Sequence, residues 1–553
     1  MMALLFDIFG FLTVLMDGAA MVALAFTLGG VFFLMLLARP LAGSLGDVGE
    51  LLLGRTRTIL VWSAFILAVV VGGRAVLEAY VLAGTLDISL TEAFGAMFVR
   101  AGFVIAAAAV ATGVIAAARL DQHRPLLLPL VACMILGAVS LLTHGAARLE
   151  DRAFLMGLIV IHLIAVAVWL GGLPYFLSAL ALARDHVASH RIGSRFSLMA
   201  LLSVAVLLAS GIGMSWVYID SPEAVYGTAY GAMLFTKLLM FLGLLGFGFK
   251  NMLIVHRLRR SPDAPVMVMR RFAEVELGVG IAVILSAASL TSLPPASDLM
   301  QDRVGWHELV ERLTPGMPRL VSPDHDLLAI PALEAKIAAA KAAGDSAAAL
   351  QTYIPGAGVI VPPNPIDIAW SEFNHNWAGI AVVLIGLLAL LDKTGWIPIA
   401  RHWPLLFLGL AAFVVIRSDP EAWPLGHLGF WESLRDPEVT QHRLFALLPI
   451  SFGLFEWAVR TGILKSKGAA LVFPLMVAAG GTIMLTHSHS LGNIRQELLI
   501  EWTHIPVAVF GIAAGWARWL ELRLPPPRGR FYGLLWPVLF IVIGAALMVY
   551  REA

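Results

Sequence analysis

Thiols and charge are what this sequence lacks. Its 553 residues include a single cysteine, Cys133, set in an apolar run. That excludes a disulfide framework, a CxxC relay and a thiolate-rich metal cage, so any metal chemistry has to rest on His, Met or carboxylate ligands. Only 14% of the residues are charged, against roughly 25% in ordinary soluble proteins, and 59% are hydrophobic. A soluble enzyme is excluded. The 38 Lys and Arg against 37 Asp and Glu leave a net charge of +1, so nothing points to nucleic acid as a partner. A basic n-region is also missing from the first eighteen residues, which hold Asp7 and Asp17, and this argues against a cleaved signal peptide.

What is present is apolar length. Windows able to cross a lipid bilayer, at ~20 residues each, fall near 10–38, 57–81, 93–118, 125–143, 153–180, 196–218, 229–254, 272–293, 376–392, 396–416, 442–460, 469–486, 499–520 and 531–550. The expected fold is an all-α polytopic bundle of about fourteen spans. Alternate connections gather the basic residues, among them Arg55 and Arg57, Arg191 and Arg195, Arg257 to Arg260, Lys465 and Lys467, and Arg523 to Arg530. By the positive-inside rule these loops face the cytoplasm, which puts both termini outside, on the periplasmic face of a bacterial inner membrane.

The long polar connection opens with Pro294-Pro295, carries an Ala/Lys/Glu-rich stretch at 332–350 that reads as a short helix, and closes in Pro362-Pro363-Asn364-Pro365. Proline at both ends marks a small external insert between two membrane units. The expected organisation is therefore 1–296, an eight-helix domain; 297–370, the insert; and 371–553, a six-helix domain. The first eight spans read as two four-helix repeats in parallel orientation. Gly29-Gly30 in span one matches Gly171-Gly172 in span five, and Gly95-Ala96-Met97 matches Gly231-Ala232-Met233. The double glycines also have a plain packing meaning, because they let helix backbones approach closely.

Fifteen histidines are an ordinary number, but eight of them fall at or just below the outer ends of spans: His144, His162, His375, His427, His442, His487, His489 and His504. Ionisable groups within spans are functional candidates because desolvating them is costly. His162 precedes Trp169 by seven residues and so shares its helix face. Met97, Met214 and Met233 sit at outer span ends, which allows a His/Met site suited to Cu(I), although packing is the plain reading for each Met. In the C-terminal domain, Glu372-Phe-Asn-His375 and Glu501-Trp-Thr-His504 are both E-x-x-H, which sets carboxylate and imidazole on one helix face as in bundle metal sites. His487-Ser-His489 follows span twelve, where an extended exit would point both imidazoles the same way. Among buried charges, Arg74 and Glu78 at i, i+4 neutralise each other. Glu274 and Glu276 read as one structural cluster with Arg270 and Arg271. Lys237 has no local partner and is the functional candidate.

These residues resemble the bacterial copper resistance D (CopD) family of inner-membrane proteins. The resemblance is carried by Thr143-His144-Gly145-Ala146, by His162 through Trp169-Leu-Gly171-Gly172, by Arg195-Phe196-Ser197, by Lys237-Leu-Leu, and by Glu276 followed by Thr291-Ser292-Leu293-Pro294-Pro295. It covers about 10–296, and the later spans are similar to the C-terminal extension of long members. It implies copper handling, described in that family as uptake from the periplasm together with a periplasmic copper-binding protein. The chain has no Met-rich capture motif, which makes delivery by such a partner the more plausible route. Imidazole suits Cu(II) and thioether Cu(I). Transport or metal binding is expected rather than catalysis. Two other readings stand beside it: a membrane electron-transfer protein with haem b held by paired His, and a carboxylate-bridged metal oxidase, for which Glu432, Glu438 and Glu497 are the nearest additional carboxylates.

Overall fold

The computed structural model describes residues 9–552 except 184, 262–264, 302, 334–338, 340–363 and 486–493. Among these residues the regular structure is helical, with one isolated bridge between Ala422 and Leu428. A bilayer offers the backbone no hydrogen-bond partners, so apolar chain satisfies its amides internally as helix. Among the described residues eleven helices are long and apolar enough to cross a membrane. The other three windows also form helices, but Leu127–Ser140 and Val472–Met484 have 14 and 13 residues. At 1.5 Å per residue that is ~20 Å, short of a ~30 Å hydrocarbon layer. The third, Pro437–Arg460, carries His442, Arg443, Glu456 and Arg460 along its length. The helix expected over 332–350 lies almost wholly outside the described residues.

The chain divides into two compact units. One comprises Thr13–Val225 and Met233–Met300. Its first helix, Phe9–Phe33, meets the segment Arg152–Trp169 where that segment breaks at Leu170–Gly172 before restarting as Leu173–Leu182. The matching double glycines face each other here: a Cβ on Gly29 would lie 2.3 Å from the Gly171 carbonyl carbon, and one on Gly171 2.0 Å from the Ala25 oxygen. Only hydrogen fits on either side. Tyr175, buried just past the break, donates to the Phe26 carbonyl at 2.9 Å and so fixes the crossing. The two Gly-Ala-Met segments differ locally. Ala96 interrupts the helix before Met97, whereas Gly231 to Met233 run inside the helix Ala229–Leu258.

The other unit comprises Met1–Leu12, Tyr226–Ala232 and Gln301–Ala553. Its core is aromatic, with Trp403, Trp536, Phe407, Phe473 and Phe540 packed together. Beside it lies a buried charge network in which Arg518 reaches Glu456 at 2.9 Å and Glu521 at 2.7 Å, and Lys393 and Arg460 pair with Glu521 and Asp392. Helices Pro365–Thr394 and Arg528–Met548 touch backbone to backbone: a Cβ on Gly379 would lie 2.5 Å from the Met548 nitrogen. That contact sets His375, one turn away, against the chain end at Tyr550. The short helix Trp306–Leu313 seats Leu309 with Leu498 and Ile505.

Candidate functional site

His375 and His504 meet in the second unit. Their ring centroids are 5.6 Å apart with planes at 82°. Each ring is oriented in the same way: His375 Nδ1 donates to the Ser371 carbonyl at 2.9 Å, and His504 Nδ1 donates to the Ile500 carbonyl at 2.8 Å. A donor at Nδ1 leaves the lone pair of a neutral ring on Nε2, the arrangement typical of metal-ligating imidazoles. Tyr550 stacks on His375 at 4.0 Å, and its hydroxyl accepts from Arg312 Nη2 at 2.8 Å. His442 acts electrostatically on both rings and is itself anchored, its Nδ1 donating to Asp419 Oδ1 at 2.6 Å.

The loop beneath His442 is acidic. Burial works to raise the Asp419 carboxyl, but the adjoining His442 and the hydroxyl of Ser418 outweigh it and hold Asp419 below the usual carboxylate range. Glu421 has less relief, from a backbone hydrogen bond alone. Burial, reinforced by Asp419, pushes it up to about 8. One turn holds two carboxyls with opposite tendencies.

Other sequence candidates fall elsewhere. Glu372 does not turn to His375: its oxygens accept from Arg319 at 3.1 Å and from the Glu552 amide at 3.2 Å. His427 is exposed on the loop, and Glu501 is half-buried on the helix of His504. His487 and His489 lie outside the described residues, as does the side chain of Glu497. Among the described residues no three His, Cys, Asp or Glu side chains converge to hold a metal. What the structure joins is the pair His375 and His504, with His442 and Tyr550 beside it. Neither Tyr550 nor Arg312 carried a sequence signal, because their roles arise from the contact of distant helices.

In the first unit, His144 Nε2 donates to the Thr291 carbonyl at 2.7 Å, and His162 Nδ1 donates to Ser210 Oγ at 3.0 Å while that hydroxyl donates to Val206. Lys237 lies within electrostatic range of His162. Met97 is 62% exposed and Met233 is buried at 4%, so these two thioethers occupy different environments. Arg74 pairs with Glu78 at 2.8 Å as expected and also with Asp17. Glu274 and Glu276 separate. Glu274 pairs with Arg271, but Glu276, two residues on and so on another helix face, is 3% exposed and accepts from Asn251 Nδ2 at 2.5 Å. The indole of Trp169 also reaches its carboxyl. The sequence reading as a single cluster is thereby corrected.

Residues 190–290 match the family model of copper resistance protein D. A copper transport protein, CutJ, of Bacillus subtilis (strain 168) is 30% identical over 169 residues, which is 30% of this chain and 30% of that protein. The match thus spans under a third of the relative's length. No solved structure matches. The match over 190–290 takes in Arg195-Phe196-Ser197, Lys237 and Glu276, and over that segment the chain is similar to copper resistance protein D.

Proposed function

We propose that this protein accepts copper at the outer ends of its C-terminal helices and passes it toward the cytoplasm, in a bacterial inner membrane and from a periplasmic copper-binding partner. The observation that carries this reading is the pair His375 and His504. Metal–imidazole bonds run to about 2.0–2.1 Å, so two rings sharing one ion stand about 6 Å apart, centre to centre, and these stand 5.6 Å apart. Both Nδ1 atoms are tied to backbone, so no tautomer has to change on binding. His487 and His489 would feed the pair from the segment before the helix of His504, and His442 would hold the loop in place.

Copper per protein in the purified full chain tests this. Wild type should retain copper, and the double variant H375A/H504A should lose at least one equivalent while still eluting as a monodisperse species. Unchanged stoichiometry overturns the assignment. The same preparation is read by visible absorption, since paired imidazoles also suit haem iron. A Soret band that vanishes in the double variant would move the site from copper to haem.

A further inference from the structure

The first unit carries a cavity of about 250 Å3, open on one side where Met252 is partly exposed, whose wall also includes Met269, Asn251, Glu276 and Trp169. The remaining wall is chiefly aliphatic and aromatic, so the few heteroatoms decide what the space can hold. Glu276 is 3% exposed, and its contacts are the two neutral donors Asn251 and Trp169. Among the described residues no Lys or Arg forms an ion pair with it. Asn251 is 8% exposed and gives its amide NH2 to Glu276, while its Oδ1 is buried with no hydrogen-bond partner. Two oxygen acceptors of one buried pair thus lack positive charge, within an apolar segment.

The cavity lies some way inside the helices. Glu276 is ten residues from the start of Val266–Ser292 and Asn251 seven from the end of Ala229–Leu258, which is ~15 Å and ~10 Å along the axes. Water is scarce at that depth, so a carboxylate there is stabilised by a cation rather than by solvent. The thioethers select among cations. Sodium and potassium gain nothing from sulfur, and divalent copper prefers nitrogen donors, whereas Cu(I) is soft and monovalent, matching both the sulfur and the single negative charge.

We propose that this cavity is a transit site for Cu(I), held by the thioethers of Met252 and Met269 and neutralised by Glu276, with Asn251 orienting the carboxylate. It rests on the copper reading above and adds a second station, of different chemistry, to the histidine pair. The site uses residues 251–276 of the segment matching the copper resistance family. Histidine placement did not reveal it, because none of its ligands is a histidine.

The test is anaerobic Cu(I) titration of the full chain in detergent against a coloured chelator, with copper X-ray absorption on the same samples. M252L/M269L keeps volume and apolar character, so a packing role survives and coordination does not. That variant should lose one Cu(I) equivalent and the sulfur scattering, and keep the copper bound through H375/H504. Asn251→Leu should weaken the same equivalent by roughly 10–100-fold, as loss of an orienting partner does. Gly248→Val should also block it: a Cβ there meets its nearest atoms, Glu276 Oε2 and Trp169, only at 4.0 Å, so the added methyls enter the space. If wild type binds copper through histidine alone, with no sulfur scattering and an unaltered M252L/M269L stoichiometry, the transit site is wrong and the histidine reading stands. If H375A/H504A keeps all its copper and M252L/M269L loses an equivalent, the histidine reading fails and this one holds. A wild type that takes up no Cu(I) overturns both.

Discussion

Single side chains in this protein are sorted by burial against a handful of charges, and the Asp419 loop shows how far that can go. Glu421 has its proton held to about 8, well above its ordinary 4.5. A folded value above the unfolded one means the native state binds the extra proton, so the stability from Glu421 is complete below pH 4.5 and is lost as pH rises toward 8. Melting temperature should accordingly fall across that interval, and Glu421→Gln should flatten the fall; an unchanged slope in the variant contradicts it. Asp419 has the opposite sign, and its contribution is lost as pH drops through and below the carboxylate range. Such residue-level behaviour was only partly legible in the sequence. The candidacy of His375 and His504 followed from E-x-x-H spacing, but the spacing also promised Glu372, which Arg319 and the chain end take instead. The separation of Glu276 from Glu274 was in principle readable, since residues two apart on a helix diverge by about 200°. The partner that makes Glu276 interesting, Asn251, is 25 residues away and carries no motif.

At the scale of elements, glycine sets which helices may touch. Gly379→Ala places a Cβ 2.5 Å from backbone nitrogen, and the helix pair can yield only by moving apart. The expected cost is about 1–3 kcal/mol, with a lower melting temperature and weakened copper retention as Tyr550 leaves His375. Gly73→Ala, where nothing lies within 4 Å, should be neutral or stabilising by up to about 1 kcal/mol. Equal effects of the two would show that contact is not the cause. The double glycines of the first and fifth spans were legible as a packing device; that they would pack on each other was not, because sequence gives periodicity and not partnership. The Gly-Ala-Met match had the same textual quality and corresponds to two different local structures. Helix existence was the most legible feature, since apolar length in lipid leaves the backbone no alternative.

For the whole molecule, charge asymmetry between loops makes a directional statement. With Cys133→Ser the chain has no thiol, so single cysteines report cleanly. In intact spheroplasts a membrane-impermeant maleimide should label Leu149→Cys, whose native side chain is fully exposed, and should leave Lys467→Cys unlabelled until lysis. The reverse pattern would invert the topology. The chain's shortage of charge made that asymmetry readable. One element also carries the aromatic pattern expected at the two faces of a bilayer. The helix Asp47–Leu86 has 40 residues, ~60 Å, about twice the thickness of a hydrocarbon layer. Trp62 and Tyr80 stand on it at 62% and 45% exposure, eighteen residues or ~27 Å apart, the spacing of the two aromatic belts that mark membrane interfaces. Those two rings act as waterlines, and the fifteen residues before Trp62 then form a stiff mast of ~22 Å standing clear of the bilayer on the side of the basic loops.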